Sequence, residues 1–239
     1  MTTADISRKR VIPAAVVAVV ALIVAVVAMT AGEQRANADS HRHSADAAAM
    51  STDQSSKKLN LAELAFHDQM RKLWEDHVTW TRLAIVTFAD GSPGFETTAA
   101  RLLQNQRDIG NAIAPFYGTA AGNRLAALLH DHITIAVEVL QAAKAGDTSA
   151  FTAANARWYA NANDIADFLS RANPRFWPGA VMRTSMKTHL DQTLTEAAHE
   201  LGGDHAASVA DYEAIHRHIL DMADLLSSGI IGRFPRKFH

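Results

Sequence analysis

The chain contains no cysteine. Disulfides, thiolate-ligated zinc, iron–sulfur clusters and thiol nucleophiles are therefore excluded. Excess charge is missing too: 23 Lys and Arg oppose 25 Asp and Glu, for a formal net charge of −2. So balanced a chain gives no electrostatic case for nucleic acid as a partner. Strand signals are absent from residue 60 onward, where apolar residues recur at a helical period. No nucleophile elbow, phosphate-binding glycine loop or zincin motif occurs. No acid, base or nucleophile set converges recognisably, which ranks an enzyme behind a binding or structural protein. Disorder throughout is excluded as well, because 48% of the residues are hydrophobic.

What is present begins with one long apolar run. Val11 to Met29 is broken only by Pro13 and carries no charge, and Arg8, Lys9 and Arg10 stand directly before it. By the positive-inside rule the basic end stays in the cytoplasm and the chain after the run is exported. Nineteen helical residues span about 28 Å, close to the hydrocarbon thickness of a bilayer. An uncleaved single-pass anchor is one reading. Cleavage as a secretory signal, for example at Ala36-Asn37-Ala38, is the other. The expected organisation is a basic cytoplasmic terminus (1–10), a transmembrane or signal segment (11–30), a flexible linker (31–58) and an extracytoplasmic helical domain (59–239). The membrane is the one partner this organisation implies; a protein partner is not identified. The linker is rich in Ala, Ser, Asp and His without apolar periodicity, and Ser40-His41-Arg42-His43 reads as solvated chain.

Breakers divide the rest: Asp90-Gly91-Ser92-Pro93-Gly94, Pro115 to Gly118, Gly146-Asp147, Pro174 to Gly179 and Gly202-Gly203. They predict six helices, at about 60–89, 95–114, 120–145, 148–172, 180–201 and 205–231. The glycine–aspartate turns should stop one helix in a left-handed conformation and cap the next with a carboxylate.

Internal repetition is the strongest signal. His77, His132 and His189 each precede a turn glycine (Gly91, Gly146, Gly203) by fourteen residues, so the units recur every 55–57 residues. After the turns come Asn105, Asn161 and His218, and three residues later Asp108, Asp164 and Asp221. The fold class predicted is all-α, a six-helix bundle of three tandem helical hairpins. In an antiparallel hairpin, residues equally far from the turn lie side by side. His77 then faces Asn105, His132 faces Asn161 and His189 faces His218, and the three pairs form one polar layer in an apolar bundle. Buried polar groups need partners, water or an ion.

Two readings of that layer follow. Imidazoles suit zinc, copper(II) or iron, with His189 and His218 the best pair, His132 and His77 completing the set, and Asp108, Asp164 and Asp221 orienting the rings or coordinating. Alternatively each histidine bonds its asparagine and the layer only fixes helix register. His130 and His216 sit two residues from His132 and His218 and belong on other faces. Glu196-x-x-His199 and Glu213-x-x-His216 match di-iron spacing, but their histidines lie at different heights on adjacent helices.

The runs Leu73-Trp74-Glu75-Asp76-His77-Val78-Thr79-Trp80-Thr81-Arg82, Ala112-Ile113-Ala114-Pro115-Phe116-Tyr117-Gly118, Arg157-Trp158-Tyr159-Ala160-Asn161 and Gly229-Ile230-Ile231-Gly232-Arg233-Phe234-Pro235 resemble a family of uncharacterised bacterial helical proteins. The resemblance covers residues 60–239. It implies a bacterial source and an all-α fold, and it brings no activity.

Overall fold

Each expected breaker ends a helix in the computed structural model, which describes residues 60–239; the apolar run at 11–30 and the linker at 31–58 lie outside the described residues. Helix α1 spans Leu61–Ala89, α2 Phe95–Tyr117, α3 Thr119–Ala145, α4 Thr148–Ala172, α5 Gly179–Gly202 and α6 His205–Arg233. A short 3-10 turn, Pro235–Lys237, follows. Among the described residues there is no strand.

The ends form for local reasons. Asn60 Oδ1 accepts from the backbone N–H groups of Ala62 and Glu63 at the start of α1. Gly146 and Gly203 terminate α3 and α5 at φ 71° and 78°, a region that disfavours a side chain. Asp147 and Asp204 then cap α4 and α6 by accepting from Ala150 N and Ala207 N. One boundary differs from expectation: α2 runs through Pro115 to Tyr117. Proline fixes φ near a helical value, so this close to the end it removes one hydrogen bond without stopping the helix. Gly118, at φ 89°, is what ends it.

Consecutive helices pack antiparallel, and α6 returns to pack on α1, so the six form a closed up-and-down ring. Thr79 to Tyr212, Arg71 to Asp224 and Glu75 to His216 pair α1 with α6 along that closing seam. Helices α1, α3 and α5 therefore run in one direction and α2, α4 and α6 in the other. The tightest approach is between α2 and α3. A Cβ on Gly110 would stand 2.5 Å from the carbonyl oxygen of Gly122, and one on Gly122 equally close to that of Gly110.

The two ends of the ring differ. The Gly91, Gly146 and Gly203 turns make one end. The other, open end is filled by aromatic rings from separate elements: Phe116 lies 5.0 Å from Phe66 and 5.5 Å from Phe238, and Tyr117 lies 5.2 Å from Phe234 and 5.7 Å from Trp177. Trp177, 1% exposed, sets the Nε1 side of its indole against Gly229, where a Cβ would collide with that nitrogen, and donates from Nε1 to the carbonyl of Leu225. Among the described residues α3 is long and apolar enough to cross a bilayer. Its buried face, from Leu125 to Ala143, is a stave of the ring, and core helices of that composition are common.

Candidate functional site

Three imidazoles meet inside the ring at one level, one from each of the parallel helices. His77 (α1), His132 (α3) and His189 (α5) are 2%, 2% and 4% exposed. The His77 and His189 ring centroids are 5.7 Å apart, and those of His132 and His189 are 6.3 Å apart. His218 stacks on the outer side of His189 at 6.5 Å. The common offset from the turn glycines puts them level, as 1.5 Å of rise per residue requires.

The layer has a closed side and an open side. Seven residues before each histidine, toward the aromatic end, stand Met70, Leu125 and Met182, none more than 1% exposed. Toward the turns lies a cavity of about 40 Å³. It is lined by the three histidines, by Thr81 and Thr193 four residues after theirs, and by Ile85, Leu140 and Ala197 eight residues after. The indole of Trp158 closes one side, 5.3 Å from the His132 ring. Such a volume exceeds the roughly 10–15 Å³ that one water needs.

Two of the expected pairs stand side by side, His132 with Asn161 and His189 with His218, and the bonds of all three run differently from expectation. Asn105 donates from Nδ2 to the carbonyl of Leu73, Asn161 to that of Leu128, and His218 from Nε2 to that of Ser185. In all three cases the acceptor is the residue four before the layer histidine, so one helix is laced to its neighbour by the same bond three times. Only Asn161 also touches the facing ring, accepting from His132 Nδ1 at 2.9 Å. Because its amide nitrogen already serves Leu128, its oxygen must be the acceptor; His132 carries its proton on Nδ1 and leaves Nε2 bare. The ring of His77 is met by Gln106 instead. That amide nitrogen donates to Leu102 O at 2.9 Å and toward His77 Nδ1 at 3.3 Å, which puts the His77 proton on Nε2. Equal distance from a turn fixes height along the helix, not rotation about it, so spacing alone could not separate Asn105 from Gln106.

The aspartates do not join the layer. Asp164 and Asp221 are exposed, and Asp108 is half-buried against Gln104 and Arg101. Three residues is 300° of helix rotation, and from side chains already turned into an interhelical seam this carries the carboxylates outward. Expected as ligands or orienters of the rings, they are placed on the outer face. Among the described residues no group of three or more His, Asp or Glu side chains already stands in position to hold a metal ion.

Electrostatically the layer is neutral. Burial, and then repulsion from His132, lowers the pKa of His77 from 6.5 to about 3. Burial lowers His132 to about 4 against the opposing bond to Asn161. His189 is driven well below 6.5 by burial and then by its three imidazole neighbours. Satisfaction is incomplete. Among the described residues the Nε2 atoms of His77 and His132 and both ring nitrogens of His189 find no hydrogen-bond partner, and His189 Nδ1 is sealed from solvent. Asn105 Oδ1, Gln106 Oε1, Trp74 Nε1 and Trp158 Nε1 are also buried without a partner.

A second polar cluster was not foreseen. Arg82 (α1) donates to Glu196 Oε1 at 2.6 Å and to Ser208 Oγ at 2.7 Å, and lies 3.7 Å from Glu200 Oε2. Ser208 donates in turn to Glu200, whose other oxygen meets His205. Burial outweighs Arg82 and raises the pKa of Glu196 from 4.5 to about 7. No common sequence offset links these residues. The Glu196-x-x-His199 spacing does not form a carboxylate–histidine site: Glu196 faces Arg82, and His199 faces Asp211 at 2.6 Å.

Compared with known proteins, the chain matches no family model, no curated protein and no solved structure.

Proposed function

We propose that the protein is an extracytoplasmic bundle of three tandem helical hairpins, tethered to the membrane by residues 11–30, that takes a transition-metal ion on the imidazoles of His77, His132 and His189. The observation that supports the reading is the meeting of three neutral imidazoles beside a cavity, with Nε2 atoms that no side chain or backbone group among the described residues bonds, and with His189 Nδ1 and Trp158 Nε1 of the same lining unpartnered. Leaving each buried group unpaired costs about 1–3 kcal/mol, so the layer is expensive unless something occupies it. An ion would satisfy it. With imidazole nitrogens at the usual 2.0–2.1 Å, ring centroids lie about 5–5.5 Å apart, so His77 and His132 must each close on His189 by up to about 1 Å. To ligate through Nε2, neutral His77 would carry its proton on Nδ1 instead, with the Gln106 amide turned so that its oxygen accepts from the ring and its bond to Leu102 is given up. Zinc, copper(II) and iron all accept such nitrogens, and the cavity leaves a further coordination position open. His218 donates to Ser185 and stands behind His189, so it supports that ring instead of ligating.

A second reading is favoured by the three lacing bonds: a non-catalytic structural or interaction module whose polar layer sets helix register. One experiment separates the two. The full chain, untagged and purified in mild detergent without added metal, is analysed for metal content and melted in zinc, in copper(II) and in EDTA. The metal reading expects a stoichiometric ion, a melting temperature lowered by EDTA, and a His189→Gln variant indifferent to all three. A metal-free protein that melts identically in every buffer leaves the register reading standing.

A further inference from the structure

The ring is electrically lopsided from end to end. Around the open end stand Arg124, Arg171, Arg175, Arg233, Arg236 and Lys237, all exposed. Among the described residues the exposed or half-buried acids at that end include Glu63, Asp68, Asp167 and Asp224, of which Asp167 is engaged by Arg183 and Asp224 by Arg71 and His67. At the turn end acids outnumber bases: Asp90, Glu96, Glu138, Asp147 and Asp204 stand in the turns and the helix ends beside them, against half-buried Lys144 and Arg101 and the Arg157 that pairs with Glu138. The helices between are 23 to 29 residues long, roughly 35–43 Å. That is several times the roughly 8 Å screening length at physiological salt, so each end acts on its surroundings by itself.

Three of the cations are held in place. Arg175 lies over Phe176 at 5.3 Å, Arg233 over Phe234 at 5.5 Å and Lys237 over Phe116 at 5.7 Å. Cations on aromatic rings are how a surface presents charge and amphipathic bulk together. The open end is also where the chain arrives from the tether. Asn60 begins α1 there and donates from Nδ2 to the carbonyl of Phe238, tying that arrival to the basic C-terminal tail. Residues 31–58, twenty-eight in all, separate the apolar segment from the bundle, so connectivity alone does not decide which end faces the bilayer.

We infer that the basic open end rests on anionic lipid headgroups, which holds the bundle upright with its glycine turns and axial cavity directed away from the membrane. Polybasic surfaces next to a membrane anchor bind anionic lipids in this way. The inference rests on the tether part of the function proposed above, and not on metal binding.

The absence of native cysteine makes the test direct. Thr119→Cys at the open end and Ser149→Cys at the turn end are each labelled with a fluorophore in the full chain. The chain is reconstituted in lipid nanodiscs of phosphatidylcholine alone, or with about one-third phosphatidylglycerol, carrying a headgroup nitroxide quencher. The label at 119 should be quenched at least twofold more in the anionic discs. The difference should vanish in 0.5 M NaCl and in the Arg175→Gln/Arg236→Gln/Lys237→Gln variant, and the label at 149 should not respond. Equal quenching at 119 in both lipids, or lipid-dependent quenching at 149, overturns the inference. Alkaline carbonate extraction is run on the same protein. If it releases the chain from membranes, the tether reading falls and takes this inference with it. If the chain stays integral while quenching ignores lipid charge, only this inference falls.

Discussion

Acidification should destabilise the metal-free bundle, and the expected size follows from four buried groups. His77 and His132 are neutral in the folded protein, with pKa values lowered to about 3 and about 4. In the unfolded chain they regain the ordinary 6.5. Stability from this source is therefore complete above pH 6.5 and lost as pH falls toward the folded values. At pH 5 the unfolded chain has bound both protons and the folded one almost none, which costs about 2 kcal/mol per group. His189 acts in the same direction. Glu196 acts in the opposite one: burial raises it from 4.5 to about 7, so its contribution is complete below 4.5 and lost as pH rises through 7. Between pH 7.5 and pH 5 it returns about 2 kcal/mol. The histidines win. Unfolding free energy of the wild type in EDTA should drop by at least about 2 kcal/mol over that interval, and that of Glu196→Gln by at least about 4. His77→Gln should lose about 2 kcal/mol less than the wild type. Urea titrations of the full chain in mild detergent, followed by tryptophan fluorescence at both pH values, measure all three. Comparison between variants cancels the outer pairs such as Glu75 with His216, which all three share. Equal acid losses in wild type and His77→Gln would refute the claim that His77 is buried neutral.

Three more outcomes are expected. Gly110→Ala should cost about 1–3 kcal/mol in urea titration, because its Cβ meets the Gly122 carbonyl at 2.5 Å and neither backbone can yield alone. Arg82→Met should cost on the order of 3–5 kcal/mol at pH 8 and less at pH 6, since it strands the buried Glu196 carboxylate and protonation of that group relieves the stranding. His189→Leu should leave metal-free stability unchanged or raised in calorimetry, because it exchanges an unpartnered buried ring for apolar volume, while abolishing any response to zinc.

Most helix boundaries were legible because their causes are local. A left-handed glycine followed by a capping aspartate needs nothing from the rest of the chain, and Gly146-Asp147 and Gly203-Asp204 behave accordingly. Pro115 misled because proline forbids a helix interior but tolerates a helix end, and only the packed structure says which it occupies. The level of the three histidines was legible from spacing. The rotation of Asn105 away from His77, and of Asp108, Asp164 and Asp221 to the outer face, was not, since a repeat of about 56 residues carries no azimuth. Arg82 with Glu196 and Glu200 was invisible for a different reason. Its members come from helices over a hundred residues apart, and α5 mixes Met182, His189, Glu196 and Glu200 on its buried side, so no apolar stripe marks that face.

The lacing bonds also bear on what the histidines are for. Register between neighbouring helices is fixed by Asn105 on Leu73, Asn161 on Leu128 and His218 on Ser185. In each bond the acceptor is a backbone carbonyl on the first helix of the pair, and any side chain could follow four residues later. The rings of His77, His132 and His189 are not used in those three bonds; they reach a neighbouring helix through separate contacts, His132 with Asn161 and His77 with Gln106. A bundle needing register alone could hold leucine at all three positions and bury no unpartnered nitrogen. Instead it keeps imidazoles, held neutral, floored by Met70, Leu125 and Met182 and opening on a cavity from the other side. Neutral imidazole is the form that offers a lone pair, and His132 is already held in the tautomer that aims it away from its asparagine. Register and the imidazole cluster are thus separable features of one layer, and substitutions at 105 and 161 should disturb the first without removing the nitrogens that constitute the second.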